Sequence, residues 1–414
     1  PRSSSMGTAF VIFIILGTLL LAQSAKSLRD GFRFLRYVRR CRAQSLGNYS
    51  PRAAVIIPVA RADAALEANI AAFMTQDYPR YQLVLVVGDE TDPAYATLDA
   101  LVKGAVARGC GGPCGASLVV AGPSHAQGQK VHNLLRGLEE VSAGTEVLVF
   151  ADADARPGLD WLRSLVAPLS SGDVTVSTGF RWYLPGWSFV SQLRAAWDTS
   201  IATFMGEDDC SFPWGGSMAI HADDFERLQV RERSWASTVS DDHGLGRAVR
   251  DGGGRIRFEP RCLVASREDS SFAGFMRWTN RQIIITRVYA PRLWKLGLAA
   301  HLLYSLAFIS GFLVLFSPAT AWERCAVLTV LAAVLGLGMA KGRIRAVVAR
   351  EIFPEEQKLL AKYGKRYWQL TLLVPWVMLY NFVVAGFART IEWSGVRYRL
   401  RSDHEVEIVG RESR

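Results

Sequence analysis

From residue 52 to about residue 259, short apolar runs alternate with amphipathic helical patterns. That alternation is the signature of βαβ units and a mostly parallel sheet. Residues 53–57 predict a first strand, stopped by Pro58, and residues 66–74 a helix that ends at the turn Gln76-Asp-Tyr-Pro79. Residues 82–87 predict a second strand running into Gly88-Asp-Glu-Thr-Asp-Pro93, with a helix over about 94–107. A Gly-rich loop around Cys110 follows, then a strand at 117–120, a helix at 130–141 and a strand at 146–150. No internal repeat or long low-complexity linker interrupts the pattern.

Outside this zone the apolar stretches are much longer. Residues 6–25 are nearly uncharged and long enough to cross a hydrocarbon core of about 30 Å. No basic region follows Met6 and no small-residue cleavage site precedes the charges, so an uncleaved anchor is expected rather than a signal peptide. Pro1-Arg-Ser-Ser-Ser5 is read as a cloning scar or upstream read-through and left out. After about residue 272 the pattern changes again. Residues 275–289 are aromatic, basic and amphipathic, suited to the membrane interface. Residues 296–316 predict a spanning helix, and 325–340 a second, shorter one, joined by a brief loop at 317–323. The stretch 341–366 is rich in Lys and Arg and is expected as a loop on the inner side. Residues 368–388 are apolar but contain Pro375, which breaks or kinks a helix, and a basic tail follows (Arg389, Arg397, Arg399, Arg401). A broken, re-entrant hairpin is therefore predicted, permitted where protein covers the freed backbone groups. The expected organisation is an anchor at 6–25, a basic juxtamembrane segment at 26–50, a catalytic domain at 51–271, an interfacial segment at 272–295, transmembrane and re-entrant helices at 296–388, and a cytosolic tail at 389–414.

Charge sharpens the orientation. The chain has 414 residues and a net charge of +10. Lys26, Arg29, Arg33, Arg36, Arg39, Arg40 and Arg42, opposed only by Asp30, follow the first apolar stretch. Such a block stays on the cytoplasmic side and lies against anionic headgroups. Because it abuts an apolar segment, it is a membrane signature rather than a nucleic-acid patch, although the charge also suits an anionic substrate. Six scattered cysteines include Cys110 and Cys114 around Gly-Gly-Pro. No second Cys or His pair stands at zinc spacing, and free thiols fit a cytosolic domain.

The chemistry starts at Asp152 and Asp154, just past the apolar run Val147-Leu-Val-Phe150. In open α/β sheets, ligands bind at the carboxyl ends of strands. Two hard oxygen donors there suit Mg²⁺ or Mn²⁺, which usually also takes oxygens from a bound phosphate. Asp89 and Asp92 flank the turn after the second strand, Ser240-Asp-Asp-His243 precedes a helical pattern at 245–249, and Gly274-Phe-Met-Arg-Trp278 precedes the membrane region. Each has an ordinary alternative: turn residues, helix caps, or an interface anchor for Trp278.

With these four signals in this order, the chain resembles the GT-A glycosyltransferases, specifically the ceramide glucosyltransferase family. The resemblance runs from Ala54 to about Val409. It includes Gln76-Asp-Tyr-Pro79, Asp92-Pro-Ala, Asp152-Ala-Asp154, Gly216-Ser-Met, Asp241-Asp242, Arg277-Trp278 and the tail Gly395-Val-Arg-Tyr-Arg-Leu-Arg401. It implies an α/β, Rossmann-like GT-A catalytic domain facing the cytosol, anchored by an N-terminal helix and C-terminal membrane helices. By resemblance, Asp92 with Asp89 holds the uridine of a UDP-sugar. Asp152 and Asp154 bind Mg²⁺ or Mn²⁺ bridging the diphosphate, and Lys130, in a Lys-x-x-Asn match with Asn133, lies near that diphosphate. Asp242 is the general base, and Arg277 and Trp278 help close the donor and acceptor sites. The implied partners are a UDP-sugar, a lipid acceptor such as ceramide, and the bilayer, with no nucleic acid.

Two departures stand out. Gly274 replaces the long polar residue that opens the family's (Q/R)xxRW motif, and no His between residues 197 and 212 matches one that shapes the animal enzymes' site. Donor sugar and acceptor are therefore open, with diacylglycerol, a hopanoid or polyprenyl phosphate as alternatives to ceramide. The stretch Pro213-Trp-Gly-Gly-Ser-Met218 would border the acceptor, with Trp214 either stacking on a sugar or lipid head or packing as a core aromatic. A processive polysaccharide synthase would need an intact QxxRW and more spanning helices. A non-catalytic scaffold or transporter is disfavoured by carboxylates at every motif position and by spanning helices almost free of charge.

Overall fold

The structure, a computed structural model, describes residues 3–62, 64–107, 114–206 and 211–411. Cys110, in the expected Gly-rich loop, lies outside the described residues. The chain divides into two compact units. One comprises Arg39–Trp182, Met205–Ser266 and the chain from Arg389 onward; the other comprises the chain up to Val38, Tyr183–Phe204 and Arg267–Ala388.

After the long helix α1 (Ser3–Ala43), the chain alternates as the pattern predicts: β1 (Ala53–Val59), α2 (Leu66–Met74), β2 (Tyr81–Val87), α3 (Pro93–Ala107), β3 (Cys114–Val120), α4 (Gln129–Leu138) and β4 (Val147–Ala151). Then come α5 (Trp161–Val166), β5 (Val176–Tyr183), α6 (Phe189–Ala202), β6 (Ser217–His221), α7 (Ala222–Arg227), α8 (Asp241–Asp251) and β7 (Ile256–Ser266). Seven strands form one sheet in the order β3-β2-β1-β4-β6-β5-β7. β1 runs parallel to both β2 and β4, β3 is parallel to β2, and β6 is antiparallel to β4 and β5. The expected α/β class is borne out.

Strands β1, β2 and β4 are apolar on both faces because both faces are covered. Val55, Ile57, Leu83, Leu85 and Val149 pack into one core cluster, while Ile56, Val84, Val86 and Phe150 face a second one shared with α4 and α8. Gly137 lets α4 approach this second face, since a Cβ there would stand 2.6 Å from Ile56 and 2.9 Å from Val86. The first three strands step outward from β1, and the chain returns through α4 to place β4 on the opposite side of β1. The crevice between the carboxyl ends of β1 and β4 is thus the topological switch point, where such sheets bind ligands.

Three local expectations are corrected. Pro58 does not stop β1, which continues to Val59 paired with β2. Pairing with β4 ends at Ile56, so no ladder donor is lost on that side. The helix expected at 245–249 begins at Asp241, and the stretch after Arg389 is folded. It forms β8 (Thr390–Trp393), β9 (Val396–Leu400) and β10 (Val406–Arg411), an antiparallel sheet in the order β10-β9-β8. Along β9, Val396, Tyr398 and Leu400 are buried while Arg397 and Arg399 are exposed, the period of two that a one-sided strand requires.

The other unit is helical: α9 (Phe272–Tyr289), α10 (Pro291–Leu315), α11 (Ala321–Ile352), α12 (Gln357–Leu370) and α13 (Val374–Phe387). By length and composition, Gly7–Ala43, Pro291–Leu315 and Ala321–Ile352 are candidate membrane spans. Phe13 and Leu20 of α1 pack with Phe308 of α10 and with Val327, Leu331 and Val334 of α11. α11 is twice as long as expected and absorbs the first half of the predicted basic loop. Its start is fixed by a capping box between Thr320 and Glu323, and its arginines are compatible with helix even where they are incompatible with lipid. The break expected near Pro375 is present but lies before it: Pro375 sits in the first turn of α13, where a missing N–H is harmless. With 14 residues, α13 reaches about 21 Å, short of a full bilayer core.

Candidate active site

Where β4 runs out at the switch point, Asp152 and Asp154 emerge from its carboxyl end. Four further elements converge on them. Lys130, on the first turn of α4, places its Nζ 2.8 Å from Asp152 Oδ1 and 2.9 Å from Asp241 Oδ2, at the start of α8. It also donates to the Gly215 carbonyl at 3.3 Å. Arg181, from β5, donates through Nη1 to Asp154 Oδ2 at 2.7 Å, contacts Asp154 Oδ1 through Nη2, and lies 3.6 Å from Asp152 Oδ2. Its guanidinium sits 5.4 Å from the centroid of the half-buried Trp214 ring. The Pro213–Gly216 loop closes in: a Cβ on Gly215 would meet Lys130 Nζ at 2.7 Å, and one on Gly216 would meet Asp152 Oδ2 at 2.7 Å. Only glycine lets this backbone lie against the charges.

The cluster is therefore four carboxylates around a buried Arg181 and a partly buried Lys130. Burial works against a charged Lys130, but Asp152, Asp241 and Asp242 overcome it and raise its pKa, so it stays an ammonium. Burial pushes Asp241 up to about 6 against the pull of Lys130, with Asp242 and Asp152 adding to the rise. Burial also acts on Asp154, but the Arg181 guanidinium outweighs it and holds that carboxyl below the usual range. For Asp242, burial is outweighed by His243, Lys130 and the Ser240 hydroxyl, and the carboxyl stays low. His243 is itself pushed down by burial, so near neutral pH Lys130 and Ser240 do most of this. Asp242 Oδ1 accepts from Ser240 Oγ and, at 2.7 Å, from the His243 amide.

The two Asp241–Asp242 neighbours differ sharply. Asp241 is 1% exposed and locked onto Lys130, whereas Asp242 is only partly buried. Asp92 is 3% exposed, with Oδ1 accepting from the Ala94 amide at 3.0 Å and Oδ2 from the Arg61 amide at 3.3 Å. It ties the loop after β1 to the start of α3, and Asp89 accepts from both the amide and hydroxyl of Thr91 at 2.8 Å. Asn133 is buried and accepts from Gln129 Nε2 at 2.8 Å. Arg277 and Trp278 belong to the helical unit, on α9. There Trp278 packs edge-on against Tyr183 and Trp197, and the Arg194 guanidinium lies 4.5 Å from its ring centroid. A side chain at Gly274 would meet little beyond Ser271 Oγ at 3.3 Å, so packing does not force the missing polar residue.

Arg181 was not singled out from the sequence. Its signal was a lone charge in the otherwise uncharged β5, and a charge buried in a strand requires a partner. Among the described residues, no group of three or more His, Cys, Asp and Glu side chains is arranged to hold a metal by itself. The Asp152–Asp154 pair nevertheless fits Mg²⁺ or Mn²⁺. It offers two hard oxygen donors, it already gathers two cationic side chains, and such ions usually take one or two carboxylates together with substrate phosphates.

Solved structures with a similar trace include the mannosyltransferase PcManGT from Pyrobaculum calidifontis in complex with GDP-Man and Mn²⁺. The match has 16% identity and a TM-score of 0.48, covering 90% of this chain and 97% of that one. Glucosyl-3-phosphoglycerate synthase from Mycobacterium tuberculosis, in complex with Mn²⁺ and UDP-glucose, matches at 16% identity and a TM-score of 0.36, covering 61% of this chain and 82% of that one. No curated protein matches the sequence. The model of glycosyl transferase family 21 matches residues 26–406, which carry every site residue described above, and the chain belongs to that family.

Proposed function

We propose that this glycosyltransferase moves a hexose, foremost glucose, from a UDP-sugar to the hydroxyl of a membrane lipid, foremost ceramide, with inversion at the anomeric carbon. The observation that carries the reading is the meeting of Asp152, Asp154 and Asp241 with Lys130 and Arg181 at the switch point, with Asp242 near enough for its charge to act on Lys130. The apolar helices and the basic run after the first of them support a lipid acceptor met at the cytosolic face.

In this reading Asp152 and Asp154 would hold Mg²⁺ or Mn²⁺, and the ion would supply Lewis-acid neutralisation of the leaving diphosphate. Lys130 stays charged and offers its ammonium to that diphosphate while keeping Asp152 and Asp241 in place. Asp242 accepts the proton of the lipid hydroxyl as the new C–O bond forms. Its low pKa is no obstacle, because the attacking oxygen becomes strongly acidic as that bond develops. Asp241, buried and paired, orients Lys130 rather than moving a proton. Asp89 and Asp92 are assigned to the uridine side, and Arg277 and Trp278, by motif alone, to donor or acceptor contacts.

The direct test incubates purified protein with several UDP-sugars, with and without ceramide, diacylglycerol or a hopanoid, and follows UDP release and product mass. UDP release that depends on a lipid, with a hexose added to its mass, is expected. Turnover of GDP-sugars alone, or of UDP-sugars onto polymer alone, would sink the reading. A second expectation concerns Arg181, which competes with any cation for Asp154. Removing one charge-assisted pair, worth about 1.5–3 kcal/mol, in Arg181→Gln should tighten Mn²⁺ binding to nucleotide-free protein by about tenfold or more. Electron paramagnetic titration of free Mn²⁺ reads this, and an unchanged affinity would mean that the carboxylate pair is not where the ion sits.

A further inference from the structure

α4 carries Lys130 but starts without a local cap. Its N-cap residue is Gly128, which has no side chain to accept from the first-turn amides, and those amides need partners. The partner comes from far along the chain. Gln129 N–H donates to the hydroxyl of Tyr398 on β9 at 3.0 Å, across 269 residues. Tyr398 is 2% exposed, so this hydroxyl is a built-in acceptor rather than a surface group. Arg411, at the end of β10, adds a second tie by donating to the Ser124 carbonyl and to Gln129 Oε1 at 3.4 Å.

The same small sheet grips the other charged element. Ser237 Oγ donates to the His404 carbonyl at 2.6 Å, just ahead of α8. Arg247, on α8, pairs with Asp403 at 2.5 Å and lies 3.1 Å from His404 Nε2. Residues 402–405 form the turn between β9 and β10. The two loops also touch directly, Gly128 N–H donating to the Thr238 carbonyl at 2.8 Å. A Cβ on Gly128 would stand 2.9 Å from the Val239 Cα, so this approach needs glycine.

We infer that the β8–β10 sheet is a positioning element of the reaction centre: Tyr398 caps the helix that bears Lys130, while the β9–β10 turn pins the helix that bears Asp241 and Asp242. The inference rests on the glycosyl-transfer reading for its kinetic consequence and not for its structural one. It gives the tail motif Gly395-Val-Arg-Tyr-Arg-Leu-Arg401 a reason that membrane association or solubility does not. The arginines of β9 point outward, whereas the inward Tyr398 is used through its hydroxyl as well as its ring.

Tyr398→Phe keeps the ring and removes the acceptor. In the full-length protein in nanodiscs, amide exchange of residues 129–133 should quicken about fivefold or more, with β1, β2 and β4 unchanged, since a net hydrogen bond is lost at one place. Arg247→Ala should do the same for residues 238–243. Lipid-dependent UDP release by Tyr398→Phe should fall about tenfold in kcat, with donor KM within twofold. Unchanged exchange at 129–133, or loosening spread evenly over the central sheet, overturns the inference whatever the activity. Faster local exchange with wild-type kcat overturns its kinetic half. A wild-type protein that turns over no UDP-sugar refutes the functional reading instead, and the exchange data still decide the structural claim.

Discussion

Asp242→Asn is expected to lower lipid glycosylation by about 10²–10⁴-fold, the contribution of a well-placed general base, while donor binding survives. The substitution keeps shape and the oxygen that accepts from Ser240 and His243, but removes the charge that takes the proton. Asp241 cannot substitute, because it is buried and bound to Lys130. Equilibrium binding of UDP or a UDP-sugar to the variant should stay within a few fold of wild type, with the loss confined to kcat. A variant that binds donor poorly but turns over each bound donor normally would remove Asp242 from the base's role. The same measurement on Asp241→Asn separates the pair: that change should disturb Lys130 and donor affinity along with rate.

Lys130→Met should damage folding as well as turnover. Lys130 neutralises Asp241 at 2.9 Å and Asp152 at 2.8 Å, and Asp241 has almost no access to water. Removing one partner of a buried pair is strongly destabilising, by about 3–5 kcal/mol, because the remaining charge is left unpaired. For a unit of this size that corresponds to a fall of roughly 10 °C in melting temperature. The double variant Lys130→Met with Asp241→Asn should recover most of that loss, since Asp152 retains Arg181 and water, but should recover none of the activity. Thermal unfolding of the three variants checks this. A single variant as stable as wild type would mean that water reaches Asp241 and that the ion pair matters little.

Much of the site was legible because local pattern and local chemistry agreed. An apolar run followed by Asp-Ala-Asp is readable as a strand ending in two ligands, and Asp152 and Asp154 stand where that reading puts them. Lys130 was legible only through the family motif, since an isolated Lys on an amphipathic helix has no local signal. Arg181 and Tyr398 were not legible as parts of the site, and Gly215, although in a stretch expected at the acceptor, was not legible as a partner of Lys130. Their partners lie 27, 85 and 269 residues away, and pairing over such distances is set by sheet order rather than by any periodicity. Helix limits were missed where a membrane argument was applied to backbone: the basic residues after 340 end an apolar stretch but not α11. Pro58 misled for a related reason. A proline interrupts a strand only where its missing donor was needed, and that depends on how far the neighbouring strand extends.

The long reach of the Tyr398–Gln129 contact has a consequence for how the protein comes into being. At a synthesis rate of about 5–20 residues per second, Tyr398 leaves the ribosome roughly 15–50 s after Gln129, and α10 and α11 are made in that interval. On the inference above, a nascent chain carries an unfinished site while α10 and α11 are made. On that inference, only a chain translated through β9 acquires the hydroxyl that caps the helix bearing Lys130, so products cut short before it should turn over more slowly than the finished chain.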